Sequence, residues 1–307
     1  MREGFVKSFD GYEVYRYLWN DVENPIGIVQ IFHGMAEHAK RYEDFAKFLN
    51  KNGYIVFADD HRAHGKTARG EEKLGIYKDG GPDVVWDTIM DEIYFSRRLI
   101  EKNKLPLYVL GHSYGSFICQ AYIQKCNLYT KAIMCGSACM KNRIDVKLGK
   151  MIAKSISKRK GHDAPAEVIR NLTFGKYEKK FKDGSWLNTD IEKTVEYKND
   201  PLCGKTMSAE FYSDFFSLFD WLYKPDMLKK VDKTKPIYLI SGKQDPVGNM
   251  GKSVKKLFKM YASLEIEGIQ MNLYDNARHE ILNEKIKDKV YKDILKFLKK
   301  GDKKCKQ

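Results

Sequence analysis

Gly111-His112-Ser113-Tyr114-Gly115 follows the apolar run Leu105, Leu107, Tyr108, Val109 and Leu110, and precedes Phe117, Ile118, Ala121 and Tyr122 at helical spacing. The pattern predicts a strand, a sharp turn and a helix, with Ser113 at the tip of the turn. A nucleophile at such a turn needs strained torsions, and the strand and helix backbones pass close together. Gly111 and Gly115 are the residues that permit this approach. A serine so placed needs a histidine and an acid within reach.

Outward from this turn, strands alternate with helical patterns. Phe5 to Phe9 and Glu13 to Trp19 flank Asp10-Gly11, a hairpin signal. Ile26 to Phe32 is almost wholly apolar, as expected of a strand covered on both faces, and ends at His33-Gly34. Tyr42, Phe45, Ala46 and Leu49 recur at helical spacing before Gly53, a C-terminal cap signal, and the strand Tyr54 to Ala58. Val85, Ile89, Ile93 and Ile100 mark a long helix beginning after Pro82-Asp83. Ala132 to Cys135 forms a further strand; Ile237 to Ser241 and Ile269 to Tyr274 complete the sheet, separated by a helix carrying Val254, Leu257, Phe258 and Tyr261. A final helix carries Ile286, Val290, Ile294, Phe297 and Leu298, and Lys303 to Gln307 reads as a frayed basic tail.

The pattern predicts an α/β chain with a mostly parallel, eight-stranded sheet flanked by helices. From about Lys141 to Asp232 no strand signal occurs, so a helical cap is expected after the sixth strand. The core then comprises 1–140 and 233–307 and the cap 141–232. In the cap, Leu148, Met151, Ile152 and Ile156 form one apolar stripe and Phe211, Phe215, Phe216, Phe219 and Leu222 another. Packing is the default reading of both, but a cap over a serine must also offer the substrate some surface. An apolar acyl chain suits these side chains, since each buried methylene contributes about 0.8 kcal/mol.

Composition narrows the classes. The 307 residues carry a formal charge of +14, but the lysines are scattered through nearly every segment and form no arginine-rich stripe, which argues against nucleic acid. Attraction to anionic membrane surfaces is a weaker expectation. Six cysteines, Cys119, Cys126, Cys135, Cys139, Cys203 and Cys305, contain no C-x-x-C pair, and neither disulfides nor zinc are indicated. The opening residues lack a signal-peptide run and no stretch of about eighteen apolar residues occurs, so a cytoplasmic location is expected. The loop Asp59-Asp60-His61-Arg62-Ala63-His64-Gly65-Lys66-Thr67 holds two histidines with no third ligand spaced to join them, and reads as a hydrogen-bonded turn. No metal and no cofactor are expected; the oligomeric state is not legible.

The catalytic partners follow from strand ends. The strand from Ile237 runs into Gly242-Lys243-Gln244-Asp245, and that from Ile269 into Asn276-Ala277-Arg278-His279. In a parallel sheet these ends lie on the edge where Ser113 emerges. His279 is expected to take the serine proton and return it to the leaving group, while Asp245 orients the ring and stabilises its charged form. Asp275 is a rival acid, but only four residues before His279; Asp200 is another, inside the cap. The N–H groups of Tyr114 and Met35 are the expected oxyanion donors.

Taken together, the chain resembles the α/β-hydrolases of the monoacylglycerol lipase and lysophospholipase group, sometimes filed with serine aminopeptidases. His33-Gly34-Met35-Ala36-Glu37-His38 with Arg41-Tyr42 is similar to the group's H-G-x-x-E-H and R-Y signature. Asp60-His61-Arg62-Ala63-His64-Gly65 resembles its D-x-R-G-H-G loop, and Asn199-Asp200-Pro201-Leu202 its D-P-L segment. Tyr114 stands where the group often has methionine, Ala63 replaces a glycine and Thr67 a serine. The resemblance implies hydrolysis of a single-acyl-chain ester through an acyl-enzyme on Ser113, with a small lipid-like ester as partner. Two alternatives stay open: a short-chain esterase, and an aminopeptidase or amidase, for which Glu167, Asp190, Glu192 and Glu196 are candidate amine-binding acids.

Overall fold

Strands β3 (Gly27–Phe32) and β4 (Tyr54–Asp59) are buried along their whole length, as their unbroken apolar runs require, and pair in parallel around the helix α1 (Glu43–Asn50). The computed structural model describes residues 1–77, 83–182 and 185–300. Pro82 and the tail from Lys303 to Gln307 lie outside the described residues. The chain next crosses by α2 (Val84–Asn103) to β5 (Leu107–His112) on the other side of β3, then by α3 (Tyr114–Lys125) to β6 (Lys131–Cys135). Because the chain reverses its direction of winding at β3, the loops leaving β3 and β5 part there and open a crevice at the carboxyl edge.

The remaining strands are β1 (Arg2–Lys7), β2 (Glu13–Trp19), β7 (Ile237–Gly242) and β8 (Gln270–Tyr274). All eight form one sheet in the order β1-β2-β4-β3-β5-β6-β7-β8, antiparallel only where β2 meets β1 and β4. The opening hairpin forms, but not as the tight turn expected at Asp10-Gly11. Lys7 pairs with Glu13, so the loop takes the five residues from Ser8 to Tyr12, and β1 begins nearer the amino terminus. The Asp10 carboxylate accepts from Tyr12 N at 3.0 Å, and this local bond draws the aspartate out of the strand.

Between β6 and β7 the chain is helical. The segments are α4 (Ile144–Lys160), the short α5 (Glu167–Arg170) and α6 (Lys176–Glu178), α7 (Ile191–Asn199), α8 (Ala209–Leu222) and the short α9 (Pro225–Leu228). Helices α10 (Lys252–Ala262) and α11 (Lys287–Lys299) follow β7 and β8.

Two apolar layers sandwich the sheet. One joins α2, α3, α8 and α10 through residues such as Ile89, Ile118, Phe215 and Leu257; the other joins α1 and α11 through Phe45, Leu49, Ile294 and Phe297. Each such side chain contributes about 1.5–3 kcal/mol on burial. The aromatic stripe of α8 is wholly inward, with Phe215 and Phe219 packed edge-on against Phe117 of α3 at 5.7 and 5.0 Å. The stripe expected on α4 divides instead: Ile152 and Ile156 reach the core, whereas Leu148 and Met151 are 52% and 68% exposed, with Ile144 beside them at 83%. No helix among the described residues is long and apolar enough to cross a membrane.

Candidate active site

Ser113 sits between β5 and α3 with φ 51° and ψ −117°, a conformation that side-chain-bearing residues rarely adopt. The two flanking glycines explain how the chain tolerates it. A Cβ on Gly111 would stand 2.2 Å from the Gly115 carbonyl oxygen, and one on Gly115 would stand 2.1 Å from that of Phe32. The Ser113 N–H donates to Cys135 O at 2.9 Å, which fixes the turn against β6.

The loops after β7 and β8 bring Asp245 and His279 together. His279 Nδ1 lies 3.0 Å from Asp245 Oδ1, with both side chains almost fully buried. Asp245 is itself held by Ser241 Oγ at 2.8 Å and by Val247 N at 2.8 Å. Burial raises the Asp245 pKa, but the His279 charge and these donors outweigh it and leave the carboxyl below its ordinary value. For His279 burial acts downward, and the neighbouring Asp245 carboxylate, with Glu280 and Glu37 behind it, overcomes that and holds the imidazole above its ordinary value. His279 Nε2 is buried without a hydrogen-bond partner, so it is available to accept a proton.

Of the rival acids, Asp275 is exposed and pairs with Lys243 at 2.7 Å, while Asp200 pairs with His38 at 2.8 Å. Tyr114 is the first residue of α3, so its N–H has no acceptor within the helix and lies at the positive end of the helix dipole. Met35 lies in the loop after β3 and lines the same cavity as Ser113 and Tyr114.

That loop is anchored by a clamp whose residues are quotable from the sequence but whose role is not. Glu37 Oε1 accepts from Gly34 N at 2.6 Å and from Tyr42 OH at 2.7 Å, and its other oxygen from Arg41. Arg41 also grips Glu280, beside His279, through two bonds of 2.7 and 2.8 Å. The guanidinium ties the Met35 loop to the His279 loop. Replacing Arg41 by methionine would leave two carboxylates, each 4% exposed, without their cation. The expected loss is about 3–5 kcal/mol of stability, read by urea unfolding at neutral pH.

Trp186 is a second contribution the sequence does not signal. Its ring lies 5.1 Å from that of His279 and stacks on Phe174 at 5.3 Å, giving His279 an apolar wall. His112 is the third: it packs 4.8 Å from the His279 ring, and burial with the His279 charge pushes its pKa down to about 3, which keeps it neutral.

Ser113 opens into a cavity of about 350 Å³ whose walls include Phe117, Phe215, Phe219 and Val247. The four acids considered for amine binding are placed elsewhere. Glu167 accepts from Thr206 Oγ1, Asp190 caps α7, Glu196 pairs with Lys193, and none of the four, Glu192 included, lines this cavity.

The histidine loop also differs from its sequence reading. Asp60 accepts from Ala39 N and Lys66 N, each at 2.8 Å, as a structural turn requires. His64 is turned away from His61, its Nδ1 2.9 Å from Arg62 O, while His61 Nδ1 lies 3.3 Å from Glu92 Oε1 of α2 and 3.6 Å from Asp59 Oδ2 of its own loop, a contact the spacing of the loop does not signal.

Comparison with known proteins gives the family. Residues 23–286 match the family model described as serine aminopeptidase, S33. The monoacylglycerol lipase of Mycolicibacterium smegmatis is 26% identical over 289 residues, covering 92% of this chain and 91% of that protein. The monoglyceride lipase of Saccharomyces cerevisiae is 25% identical over 320 residues, covering 96% and 92%. Among solved structures, a thermostable carboxyl esterase from Bacillus coagulans in complex with glycerol superposes with a TM-score of 0.85 at 27% identity, covering 97% of each chain. The family model spans most of the chain, from ahead of β3 to the start of α11, and the chain therefore belongs to the serine aminopeptidase S33 family of α/β-hydrolases.

Proposed function

We propose that this hydrolase cleaves monoacylglycerol-like esters, with Ser113 as nucleophile, His279 as general base and then acid, and Asp245 as the group that orients the imidazole. Attack by Ser113 Oγ on the ester carbonyl passes the serine proton to His279 Nε2. The developing oxyanion takes hydrogen bonds from the N–H groups of Tyr114 and Met35. Collapse expels the alcohol, which receives the proton from His279, and leaves an acyl group on Ser113; water, activated by the same histidine, then releases the acid. The chain needs no cofactor for these steps.

The observation that carries the substrate class is the cavity at Ser113, walled mainly by aromatic and aliphatic side chains; Glu167, Asp190, Glu192 and Glu196 do not line it, and the one acid that does, Asp145, is bonded to Arg143, which lines it too, as does Lys176. The helices between β6 and β7, taken as a cap over 141–232, supply most of that wall, and Phe117 and Val247 of the core complete it. The relatives named as monoacylglycerol and monoglyceride lipases agree with an acyl occupant. A panel of monoacylglycerols and p-nitrophenyl esters graded by chain length tests it. Each added methylene that enters the cavity should raise kcat/KM by about fourfold, from about 0.8 kcal/mol of burial, until the cavity is full. A maximum at two carbons would leave a short-chain esterase. Faster cleavage of amino-acid p-nitroanilides would leave a peptidase.

The source of the lipid is proposed from the outer face of α4. Ile144, Leu148 and Met151 are exposed along one stripe, Val168 and Leu172 are exposed nearby, and Leu148 and Leu172 also line the cavity. Exposed lysines accompany them on α4, among them Lys147, Lys154 and Lys158. An apolar face with basic flanks suits the surface of an anionic bilayer. Co-sedimentation with phosphatidylglycerol liposomes should be strong at low salt, weaken at high salt, and drop in Ile144→Glu/Met151→Glu; absence of binding at low salt would reject it. The five described cysteines are all free, which suits the cytoplasm.

A further inference from the structure

Beneath the Met35 loop, on the side of the sheet covered by α2, three metal-ligating side chains converge. Asp59 ends β4, His61 follows it, and Glu92 projects from the middle of α2; the side chains are 1%, 0% and 0% exposed. Both oxygens of Asp59, both ring nitrogens of His61 and Oε1 of Glu92 are buried without a hydrogen-bond partner. Two buried carboxylates beside an imidazole that approaches both without a hydrogen bond to either are expensive unless a positive charge, the imidazolium's own or an ion's, sits among them.

Apart from His61 itself, which would pair with both carboxylates if protonated, the cation of this loop is engaged elsewhere. Arg62 is turned to other acids, bonding Asp91 at 2.7 Å and Asp10 at 2.8 Å. Glu92 is instead oriented from behind: Gln30 Nε2 donates to its Oε2, Ser96 Oγ donates to Gln30 Oε1 at 2.6 Å, and Tyr122 OH donates to Ser96 Oγ at 2.8 Å. This chain of donors leaves Oε1 facing His61, the arrangement by which outer groups orient a metal ligand.

We propose that Asp59 Oδ2, His61 Nδ1 and Glu92 Oε1 form a binding site for one divalent transition-metal ion of the zinc type. The candidate donor atoms lie within 4.8 Å of one another, and His61 Nδ1 stands 3.3 and 3.6 Å from the two carboxylate oxygens. Donors around a tetrahedral ion with bonds of about 2.0–2.2 Å are separated by about 3.3–3.6 Å, so the two separations from His61 already match, and the two carboxylate donors, within 4.8 Å of each other, would close on the ion. One imidazole among two carboxylates favours such an ion over calcium or magnesium, which prefer oxygen alone. The role is structural. His61 N donates to His33 Nε2 at 2.9 Å and the two rings stack at 3.9 Å, and His33 leads directly into Gly34 and Met35. An ion held here would stiffen the loop that carries a proposed oxyanion donor, although the site itself does not depend on the substrate reading.

The test is the metal content of the full chain, expressed in zinc-supplemented medium and purified without chelator, with thermal melting of the same samples. The expected result is about one metal ion per chain, a melting temperature that falls when the protein is refolded with dipicolinate, and recovery on adding zinc chloride alone. In Glu92→Gln and Asp59→Asn, near-isosteric changes checked by circular dichroism, metal content should fall to about a tenth or less and the response to zinc should vanish. If neither variant folds, the wild-type measurements decide. Wild-type protein carrying less than about a tenth of an ion, with no melting response to zinc, manganese, iron or cobalt, would overturn the site in favour of a proton shared by the carboxylates. Full metal retained by both folded variants would overturn it in favour of adventitious surface binding.

Discussion

Ser113→Ala lowers kcat toward a monoacyl ester by about 10⁴- to 10⁶-fold while the protein melts at nearly the wild-type temperature. The size follows from the division of labour in the site. On the proposed mechanism no acyl-enzyme can form without the hydroxyl, and what would remain is the polarisation of a bound ester by the proposed N–H donors of Tyr114 and Met35 acting on water. The small effect on stability follows from the backbone. Ser113 holds φ at 51°, and alanine suffers the same torsional strain as serine there. The side chain is only half-buried and opens into the cavity, so its loss leaves no packing defect. Steady-state kinetics and a thermal melt on the same preparation check both parts. Glycine at 113 should relieve the strain and melt no lower than the alanine variant, with activity equally low.

Asp245→Asn is expected to reduce kcat by about 10⁴-fold and, separately, to move the acid limb of the pH profile downward. The sign of the second effect follows from the forces on His279. In the wild type, burial lowers the imidazole pKa and the carboxylate of Asp245 more than reverses this, leaving it above 6.5. Only the neutral ring can accept the serine proton, so kcat/KM falls as pH drops through that raised value. An amide at 245 removes the charge and leaves burial in command, so the ring stays neutral to lower pH. The surviving activity should therefore persist to lower pH than the wild-type activity does. A merely structural role for Asp245 would lower activity evenly across the pH range. Glu280→Gln should give a smaller downward displacement, because Glu280 contributes less than Asp245 to the same shift.

The sheet is legible in the sequence because its central strands are buried on both faces and carry unbroken apolar runs, while α1, α2 and α11 show a clear helical period. The Ser113 turn is legible for a different reason: the close approaches at Gly111 and Gly115 exclude any other residue, so the backbone constraint is written directly as sequence. Asp245 and His279 could be chosen because parallel strands deliver their following loops to one edge. The hairpin loop was harder, since Asp10-Gly11 serves a five-residue loop as well as a tight one. The divided stripe of α4 shows the limit of periodicity, which finds an apolar face but not what covers it. Groups that meet only in space left no signal. Arg41 and Glu280 are 239 residues apart, and Glu92 reaches His61 from a separate helix. Trp186 likewise carries nothing in its local sequence that points to His279.

The proposal that Ser113 forms a covalent intermediate is tested most directly by rapid quenching with a slowly deacylating p-nitrophenyl ester, followed by peptide mass spectrometry. The expected result is a burst of p-nitrophenol close to one equivalent per chain, with the acyl mass on the peptide containing Ser113 and absent from Ser113→Ala. Undiminished turnover with the acyl group on another residue, or with no burst and no acylated peptide under conditions where deacylation is slow, would contradict it.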